Sequence, residues 1–115
     1  MIFKPELARK VLDGTKTQTR RKLPCRYQVG RWYKVQPGRG KPHVGHIHVT
    51  GRRHERLWAV RDLDAQLEGF ADKEGFFAYW QRLYGKLDME TEVVVLDFVL
   101  LERLPCCAEM PKEDA

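Results

Sequence analysis

The chain has 115 residues, with 21 Lys and Arg against 16 Asp and Glu, a formal net charge of +5 and a pI near 9.3. A chain of this length makes one domain, able to bury about 65% of its unfolded surface without disulfides or a structural metal. No apolar run approaches the ~20 residues of a membrane span, and Lys4 and Glu6 interrupt the opening where a secretory leader would be apolar. The three cysteines, Cys25, Cys106 and Cys107, form an odd set without zinc-type spacing, which points to reduced thiols and a cytoplasmic protein.

Charge is divided along the chain. Residues 1–60 hold 15 Lys and Arg against three acids, and residues 61–115 hold six against 13. A modest overall charge therefore hides a strongly basic half, whose field would attract polyanions. The expected partner is nucleic acid rather than a membrane.

In chain order, Met1 to Phe3 reads as a short first strand. KPELARKVLDG follows as a helix: Pro5 suits its first position, Leu7, Val11 and Leu12 share a face, and Gly14 ends it. From Gly14 to Arg21, GTKTQTRR changes to the alternation of a strand, with Thr17 and Thr19 on one face and Gln18 and Arg20 on the other. This stretch is either a basic edge strand or part of a site. Residues 22–31 read as a loop and Trp32 to Gln36 as the next strand, in which Trp32 fits the core better than a stacking platform. PGRGKPHVG, residues 37–45, is a Gly- and Pro-rich loop carrying Arg39 and Lys41, expected to be mobile and to close over ligand.

Gly45 to Thr50 and Arg53 to Val60 predict a hairpin about Gly51. A short helix is expected from Asp62 to Glu68, stopped by Gly69, and a second from the N-cap Asp72 to Gly85. Phe76, Phe77, Trp80, Leu83 and Tyr84 form a stripe on that second helix and read as core. Glu92 to Leu101 is apolar on both faces and belongs at the centre of the fold. Residues 105–115 read as a flexible acidic tail behind a domain of residues 1–104. The expected class is α+β, a small, mostly antiparallel β-barrel with two to four flanking helices.

The ordered pieces FKPELARKVLDGTKTQTRR, WYKVQPGRG, GHIHVTGRRHERL, DAQLEGF, FFAYWQRLYG and VVVLDFVLLERL closely resemble the ASCH domain family, small members of the PUA-like β-barrel group, over about Ile2 to Leu104. The resemblance implies a PUA-like barrel that contacts RNA or modified nucleosides. Family members include amidohydrolases that deacetylate N4-acetylcytidine, ribonucleases and non-catalytic nucleic-acid-binding modules. In the amidohydrolase branch a lysine and a threonine after the first helix and a glutamate on a later helical turn do the work. These positions fall on Lys16, Thr19 and Glu68. The long QPGRGKP loop, the bulky YW-bearing helix and the acidic tail depart from that branch.

Threonine needs an adjacent base to act as a nucleophile; Lys16 would serve if burial or Arg20 and Arg21 depress its pKa. Glu68 would act as general acid toward the leaving amine. Lys16 and Thr19 are three residues apart, so a regular strand would part them. They meet only if Lys16 lies in the turn before the strand, where its side chain can curl round. Basic residues interleaved with aromatics, Tyr27, Arg31, Trp32, Tyr33 and Lys34 and then Arg39, Lys41, Arg52 and Arg53, suit a surface that holds phosphates and stacks a base, and the contacts expected to bind nucleic acid are Arg20, Arg21, Tyr33, Arg39, Lys41, Arg52 and Arg53. Without chemistry, the same residues make a binding module. No cofactor is expected. His43, His46, His48 and His54 lie close in sequence but lack the carboxylate or cysteine ligands of a metal site, apart from Glu55. The oligomeric state is left open.

Overall fold

The computed structural model describes the backbone of residues 1–103 and the side chains of residues 1–101. The expected tail, with Cys106 and Cys107, lies outside the described residues. Helix α1 (Pro5–Leu12) is followed by strands β1 (Gln18–Lys22), β2 (Trp32–Val35) and β3 (Gly45–Arg56), and then by a short 3-10 turn at Leu57–Ala59. Helices α2 (Asp62–Glu68) and α3 (Lys73–Tyr84) then lead into β4 (Glu92–Arg103). The four strands form one antiparallel sheet in the order β1-β4-β3-β2, curled into a half-barrel and flanked by the three helices. This is the expected α+β class.

Local chemistry sets the helix boundaries. Asp72 accepts a hydrogen bond from the Gly75 amide at 2.9 Å and so caps the first turn of α3. Asp64 accepts from the Arg61 amide at 3.0 Å and steadies the start of α2. At the end of α2, Gly69 has φ of 102°, a left-handed conformation that costs glycine little. A Cβ there would stand 3.1 Å from Lys10 Cδ and 3.3 Å from Leu7 Cδ2, so α2 closes tightly onto α1.

Two apolar cores form beside the sheet. One packs Leu7, Val11 and Leu12 of α1 against Phe3, Ile47, Leu96 and Phe98. The other packs Phe76 and Trp80 of α3 against Leu57, Ala65 and Val93. Strand β4 is inside the sheet, as its two-faced apolar pattern requires, and Val93 to Leu96 are fully buried. Its far end is not covered: Val99 and Leu101 are exposed.

Four expectations are corrected. The stripe on α3 is core at Phe76 and Trp80, half-buried at Phe77 and Tyr84, and exposed at Leu83. Residues 45–56 make one continuous strand instead of a hairpin about Gly51, because β3 pairs along its length with β4 and over its first residues with β2. A register shift falls between Val49 and Gly51, and a Cβ on Gly51 would lie 3.0 Å from Asp97 Oδ2. The glycine marks a bulge and a close approach, not a turn. Met1 to Phe3 makes only an isolated parallel bridge, between Ile2 and Gln36, since the chain turns at once into α1. Trp32 is 66% exposed rather than core, on the outer strand β2, edge-on to His46 with ring centroids 6.1 Å apart.

Candidate functional site

The site lies at the seam between the two cores, where the end of α2 meets the start of β1. Lys16 sits in the turn before β1, so its side chain curls inward without obeying the strand's alternation. The turn is fixed by its backbone: the Lys16 amide donates to Lys10 O at 3.0 Å and the Thr17 amide to Leu67 O at 3.0 Å. Lys16 is only 2% exposed. Its Nζ donates to Gln18 O, Glu68 O and Glu68 Oε1, each at 2.8 Å, which uses all three donors of an ammonium.

Glu68, 3% exposed, is held from the other side by Arg20, whose Nη1 donates to Oε2 at 3.0 Å. The Arg20 guanidinium also donates to Glu55 Oε2 at 2.7 Å and Gln18 Oε1 at 2.6 Å, and lies 3.8 Å from Asp64 Oδ1. Gln18 in turn donates to Asp97 Oδ1 at 2.8 Å, and Arg53 to Asp97 Oδ2 at 3.2 Å. A connected chain of polar groups therefore runs from exposed Arg53 through Asp97, Gln18, Arg20 and Glu68 to Lys16. Gly51 leaves room for the Asp97 carboxylate in that chain.

Burial has opposite outcomes for the two inner cations. Desolvation lowers the Lys16 pKa, and the Glu68 carboxylate only partly offsets it, while Arg21 and Arg20 add to the lowering. Desolvation also acts on Arg20, but there Glu68 and Glu55 outweigh it and its pKa is raised. The neighbours of Arg20 thus hold its proton more firmly, while Lys16 holds its own less firmly than an ordinary lysine does.

Thr19, 5% exposed, joins Lys16 and Glu68 in lining a small cavity of about 30 Å³, together with Phe3, Arg21 and Tyr79. Beside it is an open cleft of about 540 Å³, lined by Lys4, Arg21, Arg39, Tyr79 and Tyr84. Phe3, Arg21, Tyr79 and Tyr84 belong to both walls, so the small cavity adjoins the floor of the larger cleft. Arg21 donates through Nη2 to Ile2 O at 2.9 Å and stands 5.1 Å above the Phe3 ring. Its Nε–H is buried without a hydrogen-bond partner. Burial raises the pKa of Tyr79 and Tyr84, so both phenols keep their protons and remain donors.

The structure brings Lys16, Thr19, Glu68, Arg20 and Arg21 together, with Arg39 on the outer wall. It does not gather the other basic and aromatic residues named from the sequence. Lys41 is exposed outside the cleft lining, and its carbonyl accepts from Gln36 at 3.3 Å. Tyr33 points its hydroxyl at the Gln28 amide, 2.9 Å away. Arg52 holds the carbonyls of Cys25 and Tyr27, and Arg53 pairs with Asp97 and, at 4.0 Å, with Glu55. Arg20 faces carboxylates inside the fold instead of solvent. Glu55, Gln18, Asp97, Tyr79 and Tyr84 were not singled out from the sequence as parts of a site. Glu55 was named there only as the carboxylate near the histidines, Gln18 only by its strand face and Tyr84 only within the helical stripe.

His43 and His46 stack edge to face at 5.0 Å, and no group of three or more His, Cys, Asp or Glu converges as metal ligands among the described residues. No helix among those residues is long and apolar enough to cross a membrane.

A curled antiparallel sheet with a helix-walled pocket at the first strand makes an α+β fold like those of ASCH and PUA-like proteins. More particularly, the chain has the ASCH-domain fold. It superimposes on an ASCH domain from Lactobacillus crispatus with a TM-score of 0.64 and 21% identity, over 83% of this chain and 70% of that one. An Enterococcus faecalis protein from a family of unknown function aligns with a TM-score of 0.67 and 18% identity, over 90% and 72%. A point mutant of the Zymomonas mobilis ASCH protein aligns with a TM-score of 0.59 and 15% identity, over 91% and 68%. No family profile and no curated protein matches the chain.

Proposed function

We propose that the protein is a hydrolase acting on an amide carried by a nucleobase, of the N4-acetylcytidine type, with Thr19 as nucleophile and Lys16 as its base. The observation that carries this reading is a buried lysine of lowered pKa sharing a cavity wall with a threonine, beside a cleft large enough for a nucleoside. The ASCH resemblance of the GTKTQTRR segment supports it.

The chemistry is acyl transfer. Neutral Lys16 Nζ takes the Thr19 hydroxyl proton as Oγ1 attacks the acyl carbonyl, and the C–N bond then breaks as the leaving amine receives that proton. Water attacks the acyl-threonine, gives its proton to Lys16, and Thr19 Oγ1 recovers it as the acid leaves. The Arg21 guanidinium lines the same cavity and is the donor at hand for the negative charge that develops on the carbonyl oxygen. Glu68 was expected as the general acid. Its two oxygens are held by Lys16 and Arg20, which suits a group that orients the base.

The test is turnover of N4-acetylcytidine and of short RNAs by the wild type and by the Lys16→Ala, Thr19→Val and Glu68→Gln variants. Losing a general base costs about 10²–10⁴-fold in rate. Absence of turnover on both substrate classes by the wild type, or full activity in all variants, overturns the reading.

Two observations favour a non-catalytic RNA-binding module instead: Lys16 has all three donors satisfied within the protein, and the cavity at Thr19 is only about 30 Å³. On that reading Arg21 and Arg39 grip phosphate, wild type turns over nothing, and RNA affinity still falls steeply with salt.

A further inference from the structure

A second cleft, of about 510 Å³, lies on the other side of Arg21 and Tyr84 and is lined by Lys22, Pro24, Cys25, Arg26 and Tyr27. The two clefts share Arg21 and Tyr84 as a common wall. Tyr84 is braced there by Trp80, with ring centroids 4.5 Å apart, and Lys22 Nζ lies 4.4 Å from its ring centroid. The Lys22 ammonium is thereby held beside the shared wall by a cation–π contact.

The far wall is built rather than loose. Arg52 reaches across from β3 to donate to the carbonyls of Cys25 and Tyr27, and the Tyr27 ring packs edge-on against Tyr33 at 4.8 Å. Across both clefts the charged lining is Lys4, Arg39, Arg21, Lys22 and Arg26, and among the described residues no carboxylate lines either one. The carboxylates near β1 are instead turned inward to Lys16 and Arg20.

We infer that the second cleft is a phosphate-binding subsite for the neighbouring nucleotide, so that the protein takes its target base within a single-stranded polynucleotide. The inference rests on the reading of the first cleft as the nucleoside site. A free nucleoside would need none of Lys22, Arg26 or the Arg52-braced loop. A strand crossing the wall at Arg21 and Tyr84 places one phosphate group by Lys4 and Arg39 and the next by Lys22 and Arg26. Two concave clefts with tyrosine walls accept unstacked bases, and a stiff duplex does not enter them.

The test is binding to the full chain, followed by fluorescence anisotropy competition, of cytidine 5′-monophosphate, a six-residue oligocytidylate, its deoxy counterpart and the duplexed form. Wild type is expected to bind a single-stranded hexamer at least about 10-fold more tightly than the mononucleotide, and either sugar supports the inference. Lys22→Gln with Arg26→Gln should cost the hexamer about 10-fold or more and flatten its salt slope by about 1.4, two contacts at about 0.7 each. Mononucleotide affinity should change less than about two-fold, as should hexamer affinity in the control Lys73→Gln with Lys86→Gln. Both pairs are exposed, so folding is not at stake. A hexamer bound no better than the mononucleotide, a subsite double variant that behaves like the control, or a duplex bound as tightly as the single strand overturns the inference. Turnover of free N4-acetylcytidine without hexamer preference removes the second subsite and leaves the hydrolase. Hexamer preference without any turnover does the reverse.

Discussion

Arg20 and Arg21 are neighbours on one short strand and have opposite fates. Arg20 is 4% exposed and meets Glu55, Glu68 and Gln18 inside the fold. Arg21 bonds a single backbone carbonyl, lies along the Phe3 ring and lines both clefts. Alternation along the strand turns one inward and the other toward the clefts. The inner cation builds the site and the outer one is available to a ligand. Sequence treats them as one basic run; the fold separates an organising charge from a binding charge.

The comparison is sharpened most by removing the inner charge. Arg20→Met strips Glu68 Oε2 and half-buried Glu55 of their shared cation, leaving Glu68 only Lys16, and should cost about 3–5 kcal/mol of unfolding free energy, measured by urea denaturation. Arg21→Gln should cost less than about 1 kcal/mol in the same assay, because it forgoes one partly exposed hydrogen bond. Equal losses would erase the distinction. Phe76, buried beside the seam 5.9 Å from the Arg20 guanidinium, tests whether apolar packing matters as much: Phe76→Ala should also cost about 3–5 kcal/mol.

A smaller effect is expected at Gly51. Gly51→Ala places a methyl 3.0 Å from Asp97 Oδ2 and should destabilise by about 1–3 kcal/mol, the range for an overpacked site. If Asp97 moves aside without cost, it is not fixed by Gln18 and Arg53 as described. At the outer wall the change is in binding rather than in stability. Arg39→Glu should weaken RNA or nucleotide binding by about 1 kcal/mol or more at low salt while leaving stability untouched. Unchanged affinity would remove the 37–45 loop from the cleft.

What the sequence revealed and concealed follows from range. The boundaries of α2 and α3 were legible because Asp72, Gly69 and Gly85 act on backbone groups within a turn of themselves. The two-faced burial of β4 was legible because Val93 to Leu96 carry it in consecutive residues. Lys16 and Glu68 were named through the ASCH resemblance, and the place of Lys16 in the turn before β1 lets it share a cavity wall with Thr19 despite the three-residue spacing. The inward turn of Arg20 was not legible, since its partners Glu55 and Glu68 are 35 and 48 residues away. Gly51 misled for a related reason: glycine serves tight turns and close approaches alike, and only the position of Asp97 on a later strand tells them apart.

The most direct test of the central claim is the pH dependence of kcat/KM for N4-acetylcytidine. Lys16 is active as the neutral amine, so the rate should rise with pH. Because burial lowers its pKa, the midpoint should fall below the ordinary lysine value of 10.5. Lys16→Ala should abolish that rise together with most of the rate. A profile that is flat or falls with pH, or one that Lys16→Ala leaves unchanged, would contradict the assignment of Lys16 as the base.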